Sequence, residues 1–184
     1  MAKSALVVLA AGFEEIEAVT VIDVLRRAGV EVTAAAVACL RVDGSHGLPV
    51  VADATLADVK DKNFDAVILP GGMPGSETLG GSGMVKEIVL RHHKAGRLIA
   101  AICAAPACAL APWGVLDGRT ATCYPGMEGR FSPKTRHSRE RVVADGNLVT
   151  SQGPGTALAF ALELAKRLAG PPALAKLTAG MLIA

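Results

Sequence analysis

The sequence has few aromatic residues, no surplus of either charge and no long apolar run, and each shortage excludes a class of protein. Phe, Trp and Tyr together make up 3% of the 184 residues, so the core must be aliphatic. The 19 basic and 17 acidic residues nearly cancel, and no basic stripe with interleaved aromatic residues occurs, which argues against nucleic-acid binding. The densest basic segment, residues 134–141, is predicted to be a solvated loop. Without an apolar run long enough to span a bilayer, we expect no membrane partner.

The cysteines also lack a pattern. Cys39, Cys103, Cys108 and Cys123 show no CxxC pairing, no disulfide-framework spacing and no metal-ligand spacing. We therefore expect free thiols in a reducing compartment, and no metal. The apolar run at residues 5–10 is too short for a signal peptide, which favours the cytoplasm. A chloroplast or another organelle is the alternative if a transit peptide was removed.

Apolar runs alternate with amphipathic segments along the chain. The runs ALVVLA, DAVILP and RLIAAI predict buried strands, and EEIEAVTVIDVLRRAG, MVKEIVLRHHKAG and GTALAFALELAKRLAG have helical spacing. TATCYP is a further predicted strand, GLPVVADATLADV an irregular or edge segment, and APACALAPWG a short helix. Alternating strands and helices predict an α/β sandwich with a mostly parallel sheet, in one domain over residues 1–184.

Three stretches follow predicted strands directly and should meet at one edge of this sheet, where α/β proteins bind ligands. In IAAICAAPACAL, Cys103 lies where a strand turns into a helix, between small residues. Such a turn can hold a nucleophile in a strained conformation that points into the cleft. The start of the helix should also favour the thiolate form of Cys103. An inert, buried thiol is the alternative, and packing is the better explanation for Cys39, Cys108 and Cys123.

The other two stretches supply a carboxyl group and exposed backbone amides. GFEEIE offers Glu14, Glu15 and Glu17, and a partly buried carboxyl there could shuttle a proton. Spacing alone does not choose between Glu14 and Glu17. In PGGMPG, the Gly72 amide, together with that of Ala104, could form an oxyanion hole beside Cys103. An ordinary Gly/Pro turn is the alternative explanation for this stretch.

Five motifs together, in order along nearly the whole chain, resemble the DJ-1/PfpI superfamily. They are AAGFEEIEAV, LPGGMPGSETL, IAAICAAPA, TATCYPG and LVTSQGPGTALAFAL. The resemblance is to the branch of the parkinsonism-associated protein deglycase and glyoxalase III, and within it to plant-type single-domain members. It implies a flavodoxin-like sandwich, related to class I glutamine amidotransferases, with a nucleophile elbow, and a homodimer.

The resemblance also implies roles for individual residues. Cys103 matches the reactive cysteine, Glu17 the carboxyl beside its sulfur, and Gly72 and Ala104 the neighbouring amides. Tyr124 replaces a histidine found in many members, which argues against a mechanism that needs an imidazole there. His46 lies near a residue that reaches the partner subunit's cleft in some members, and it is either a substrate-binding residue or a surface histidine.

The activity implied is a cofactor-independent glyoxalase III. It would convert methylglyoxal or glyoxal to lactate or glycolate through a Cys103 hemithioacetal, and could also deglycate glyoxal adducts of proteins or nucleotides. The alternative is a redox-sensing, oxidation-regulated chaperone or stress-protective protein without turnover. A small esterase is a weaker third possibility. Ala104 follows Cys103 where the protease-like branch has a histidine, which argues against peptide hydrolysis.

Overall fold

The structure is a computed structural model that describes residues 2–183, and within that range strands and helices alternate along the chain. The strands are β1 (Ser4–Leu9), β2 (Glu31–Ala36), β3 (Arg41–Asp43), β4 (Pro49–Val51), β5 (Ala54–Thr55), β6 (Ala66–Leu69), β7 (Leu98–Ile102), β8 (Thr120–Ala121), β9 (Arg136–His137), β10 (Val142–Asp145) and β11 (Leu148–Ser151). The helices are α1 (Glu15–Arg27), α2 (Leu56–Val59), α3 (Gly75–Gly81), α4 (Gly83–Lys94), α5 (Ala157–Ala169) and α6 (Pro171–Gly180).

The central sheet has seven strands in the order β10-β11-β7-β6-β1-β2-β5. Neighbouring strands from β11 to β5 are parallel, and β10 joins β11 as an antiparallel hairpin. The predicted α/β sandwich with a mostly parallel sheet is therefore confirmed. Because the strands are parallel, β1, β6 and β7 end at the same edge, which brings together the three stretches predicted to meet there.

Helices cover both faces of the sheet, which explains why its central strands are continuous apolar runs. Along β1, Val7 faces one core cluster with α1 and α5, whereas Leu6 and Val8 face a second cluster with α2 and α4. The aliphatic composition suits this arrangement because strands buried on both faces need compact side chains. Within residues 2–183, no helix is long and apolar enough to cross a membrane.

Several local predictions need correction. The segment TATCYP is a strand only at β8, which pairs with β9 outside the central sheet. The basic segment 134–141 is therefore not wholly a loop, because it contributes β9. The predicted short helix after Cys103 is a single π-helical turn, Pro106–Leu110. Cys39, predicted to pack, is exposed because it lies in the bend between β2 and β3.

The segment GLPVVADATLADV, predicted to be irregular or an edge strand, forms two different structures. Its first part belongs to a separate two-stranded hairpin of β3 and β4, and its second part forms β5 at the edge of the central sheet. Helix α5 ends at Gly170, as its positive φ of 84° allows, and α6 begins at once with Pro171 in its first turn.

Candidate active site

Cys103 occupies a strained turn at the end of β7. Its φ is 63°, in the left-handed region that side chains other than glycine rarely adopt. Two hydrogen bonds hold this conformation: the Cys103 N–H donates to the Ser151 carbonyl at 2.9 Å, and the Tyr124 N–H donates to the Cys103 carbonyl at 2.8 Å. The side chain is 9% exposed, at the floor of a cleft. This is the geometry expected of a nucleophile elbow.

The Glu17 carboxyl lies against the Cys103 thiol and is within hydrogen-bonding reach of it. Glu17 is in the first turn of α1 and is fully buried. Its Oε2 accepts the Gly71 N–H at 2.8 Å, whereas Oε1 has no hydrogen-bond partner among residues 2–183. Glu14, the other candidate, points toward the β3–β4 hairpin and accepts from Ser45 Oγ at 3.3 Å. The structure thus places Glu17, and not Glu14, beside Cys103.

Burial sets the electrostatics of this pair. It raises the pKa of Glu17 from 4.5 to about 7, against the lowering effect of the hydrogen bonds from Gly71 and Cys103. Burial, and then the negative charge of Glu17, raises the pKa of Cys103 from 9.0 to about 12. In the resting pair, burial and the neighbouring carboxylate therefore oppose the thiolate form that was expected from the start of a helix, whereas the amides of Gly72 and Ala104 favour it.

The pair nevertheless has a route to the thiolate, because a proton that moves from the thiol to Glu17 removes the carboxylate charge. Two backbone amides then remain to stabilise the sulfur: hydrogen bonds from Gly72 and Ala104 both lower the pKa of Cys103. These are the two amides that the sequence predicted beside the cysteine. Between about pH 7 and 12 the pair holds one proton, which the two side chains can share.

Two consecutive glycines allow this close approach. A Cβ on Gly71 would collide with the Cβ of Cys103 and with Glu17 Oε2. Gly72 has a φ of 92°, and a Cβ there would collide with the backbone of Phe13 and Glu14. Both glycines are therefore required by the site, and the explanation of PGGMPG as an ordinary turn is insufficient.

Cys103 opens into a cleft of about 1020 Å³. Tyr124 forms part of one wall and is 49% exposed, and its ring packs beside Gly153. His46 also lines the cleft. Most of the lining surface is apolar, and residues that contribute to it include Ile16, Leu48, Met73, Pro125, Gly126, Met127 and Pro154.

His46 is positioned by Glu15, an acidic residue at the start of α1. The buried Glu15 carboxylate accepts the backbone N–H of His46 at 2.7 Å and contacts its Nδ1 at 3.0 Å. Hydrogen bonds from His46 and Leu48 help to lower the pKa of Glu15 to about 2, although burial opposes this. The same contact raises the pKa of His46. Glu15 thus fixes the β3–β4 hairpin over the cleft.

Gly71 and Glu15 are the site residues that sequence reasoning missed. The sequence does contain a signal for Gly71: it is the first glycine of PGG, shortly after a predicted strand, and in the structure its N–H faces the same edge as Cys103. No local sequence pattern indicates the role of Glu15, because its partner His46 on the hairpin is 31 positions away.

Within residues 2–183, side chains that could hold a metal occur in two groups, although sequence spacing predicted none. Glu14, Glu15 and His46 form one group, in which Glu15 and His46 already satisfy each other by hydrogen bonds. Cys123, Glu128 and His137 form the other.

Comparison with known proteins agrees with this geometry. Residues 3–167 match the model of the DJ-1/PfpI family. The chain is 45% identical over 169 residues to protein DJ-1 homolog B of Arabidopsis thaliana, covering 91% of this chain but 39% of that protein, so it spans well under half of that plant relative. It is 38% identical over 170 residues to the glutathione-independent glyoxalase DJR-1.2 of Caenorhabditis elegans, covering 92% of this chain and 90% of that protein.

The fold is also similar to a solved structure. The crystal structure of Drosophila melanogaster DJ-1beta superposes with a TM-score of 0.96 at 44% identity, with complete coverage of both chains.

Proposed function

Since the chain belongs to the DJ-1/PfpI family, we propose that it is a glutathione-independent glyoxalase that converts methylglyoxal or glyoxal to lactate or glycolate. The observation that carries the proposal is the buried Glu17 carboxyl beside the Cys103 thiol, at the floor of an open cleft. The similarity to a glutathione-independent glyoxalase supports the same substrate class, small reactive aldehydes.

The first step adds the thiol to the aldehyde. Glu17 accepts the Cys103 proton, the sulfur attacks the aldehyde carbon, and the carbonyl π electrons move to oxygen. The Gly72 and Ala104 amides, which already point at the sulfur, are placed to stabilise the developing oxyanion. Glu17 then returns the proton to that oxygen, which gives a neutral hemithioacetal and leaves a carboxylate.

The second step moves hydrogen between the two substrate carbons. The Glu17 carboxylate removes the proton from the former aldehyde carbon, which gives an enediolate, and returns it to the neighbouring carbon, while the hydroxyl proton on the former aldehyde oxygen passes to the neighbouring oxygen. The product is a 2-hydroxy thioester of Cys103. Water then attacks the thioester carbonyl and releases the hydroxy acid and the thiol. One thiol, one carboxyl and two amides suffice, so this sequence uses no imidazole at Tyr124. His46 and Tyr124 instead border the cleft and are proposed to contact substrate.

The test is lactate formation from methylglyoxal without glutathione. The wild type should turn over many equivalents, and Cys103→Ala and Glu17→Gln should lose turnover, with Glu17→Gln reduced by about 10²- to 10⁴-fold. Cys39→Ser is the matched control, because that thiol is exposed and does not line the cleft. Aldehyde loss that stops at about one equivalent per chain would instead support the redox-sensing alternative, in which Cys103 is altered once. Deglycation of protein or nucleotide adducts would begin with the same addition to Cys103.

We also propose a homodimer. Large apolar side chains are exposed on α1 and on the β3–β4 hairpin that Glu15 ties to it: Ile16, Val19, Leu48 and Val51. Val51 is 72% exposed and Leu48 is 63% exposed, which is costly on an isolated surface. A twofold arrangement would bury this patch and place the partner subunit next to the cleft rim. A mass measured by light scattering that equals one chain would contradict it.

A further inference from the structure

We propose that Cys123, Glu128 and His137 form a second site, distinct from Cys103, that binds a divalent metal ion of the zinc type. One potential ligand atom from each of the three residues lies within 4.8 Å of the other two. The sequence hides this group because the spacing between its members matches no short metal motif.

The fold brings these residues together through the small β8–β9 sheet. Ala121 pairs with His137 in parallel register, and the Ser138 N–H donates to the Ala121 carbonyl at 2.9 Å. This pairing places His137 beside the segment that continues from β8 to Cys123. Glu128 begins a 3-10 turn that folds back over the same segment. The backbone pairing of β8 and β9 thus brings the backbone of His137 close to that of Cys123.

A backbone amide also orients the carboxylate of Glu128. The Gly126 N–H donates to Glu128 Oε2 at 2.7 Å, which holds the carboxylate at the start of the turn. The nearest arginine in the turn, Arg130, is paired with Glu77 at 2.7 Å. The His137 ring also contacts the Phe131 ring in a T-shaped arrangement, with centroids 6.0 Å apart.

The donor set determines the metal. A thiolate, an imidazole and a carboxylate are all common ligands of zinc, whereas magnesium and calcium prefer oxygen alone. Tetrahedral zinc would need donor atoms about 3.3–3.7 Å apart. Glu128 and His137 are exposed and can move by the small distance required, whereas Cys123 is buried and provides the fixed ligand. Three protein ligands leave the fourth position to water, and the Cys123 proton passes to solvent as the Zn–S bond forms.

Such an ion would also act on the cleft of Cys103. The residues between the ligands Cys123 and Glu128 are Tyr124, Pro125, Gly126 and Met127, and all four line the cleft. A metal bound at both ends of this segment would restrain one wall of the cleft without touching Cys103 or Glu17. The site does not depend on which reaction the cleft performs.

Cobalt(II) titration of the purified chain tests the proposal, because cobalt replaces zinc and reports thiolate ligation by its near-ultraviolet charge-transfer absorption. We expect saturation at one equivalent per chain, displacement by zinc, and an unchanged signal in Cys103→Ala. Glu128→Gln and His137→Gln should each weaken cobalt binding by at least about tenfold. Loss of a residue that merely orients a metal ligand already lowers metal affinity by about that factor, and loss of a ligand itself should lower it at least as much. Both side chains are exposed, so these variants should fold normally, and thermal unfolding without metal checks this.

Cys123→Ala should abolish the charge-transfer band, and Cys108→Ala is its buried-thiol control. Loss of the band in Cys103→Ala would place the metal in the cleft and overturn the proposal. Equal affinities in the wild type and His137→Gln would overturn it too, as would the absence of a charge-transfer band at millimolar cobalt.

Discussion

The Glu17 carboxyl lies within hydrogen-bonding reach of the Cys103 thiol in a buried site, and its negative charge raises the pKa of that thiol. Neither group is in its ordinary state, because burial raises the pKa of Glu17 to about 7 and that of Cys103 to about 12. The thiolate therefore becomes more accessible once the carboxylate charge is removed, whether Glu17 takes up a proton or is replaced by an uncharged residue. This coupling makes the site testable by changes of pH and of single residues.

The pH dependence of turnover should reflect the loss of one proton from the pair. Below about pH 7 both groups are protonated and Glu17 cannot accept the thiol proton. We expect kcat/KM for methylglyoxal to rise about tenfold per pH unit up to about pH 7, and then to level off. A profile measured from pH 5 to 9 checks this. An activity that keeps rising up to pH 9 would mean that ionisation of the thiol alone limits the reaction.

Glu17→Gln should separate thiol reactivity from catalysis. Without the carboxylate charge the pKa of Cys103 falls, so alkylation of Cys103 by iodoacetamide at pH 8 should become faster. Turnover should fall at the same time, because the amide cannot carry the proton between the substrate carbons. Mass spectrometry of the alkylated chain and the lactate assay give the two rates. Slower alkylation in the variant would show that Glu17 activates the thiol in the resting protein.

The same substitution should stabilise the fold at alkaline pH. The pKa of Glu17 is higher in the folded chain than its ordinary value of 4.5, so stability is lost as the pH rises from 4.5 to about 7. That shift corresponds to about 3 kcal/mol. Glu17→Gln should therefore raise Tm at pH 8 and change it little at pH 4. Calorimetry at both pH values measures this, and an equal effect at the two would contradict the ionisation argument.

Gly71→Ala should damage the site, since its Cβ would collide with Cys103 and Glu17. Overpacking of this kind costs about 1–3 kcal/mol, and we expect turnover to fall at least about tenfold. Gly81→Ala is the matched control, because nothing lies within 4 Å of its added Cβ and its φ is not positive. Denaturant unfolding and the lactate assay compare the two. Equal behaviour of both variants would remove the requirement for glycine at position 71.

Acid should destabilise the fold through His92. This buried imidazole accepts the Phe64 N–H at Nε2, 3.0 Å away, and contacts the Ile88 carbonyl through Nδ1 at 2.7 Å, which requires the neutral form. Burial lowers its pKa below the ordinary 6.5, so its stability contribution is complete above pH 6.5 and is lost as the pH falls toward the folded-state pKa. His92→Gln should be less stable at pH 8 but lose less stability between pH 7 and 5. His93→Gln on the same helix is the comparison, and urea unfolding at the two pH values is the measurement.

Much of this protein follows from local sequence patterns. The periodicity of apolar residues predicts the strands of the sheet and the helices on its faces, because burial on both faces requires continuous aliphatic runs. A parallel sheet in turn places the ends of β1, β6 and β7 at one edge. The small residues around Cys103 and the PGG motif therefore predict a nucleophile elbow with backbone amides beside it. The five motifs were also sufficient to predict the family.

Other features of the protein depend on contacts between segments that lie far apart in the sequence. The helical phase of α1 places Glu17, rather than Glu14, beside Cys103. Burial of this pair raises the pKa of both groups, whereas the position of Cys103 before a helix predicted a lower pKa for the thiol. Glu15 meets His46, and Cys123 meets His137, only because separate strands pair in a particular register. Local patterns encode which faces of the strands and helices are apolar. The burial of each ionisable group and the register of the strands are set by the packing of the whole chain, and they determine the pKa values and the contacts of the site.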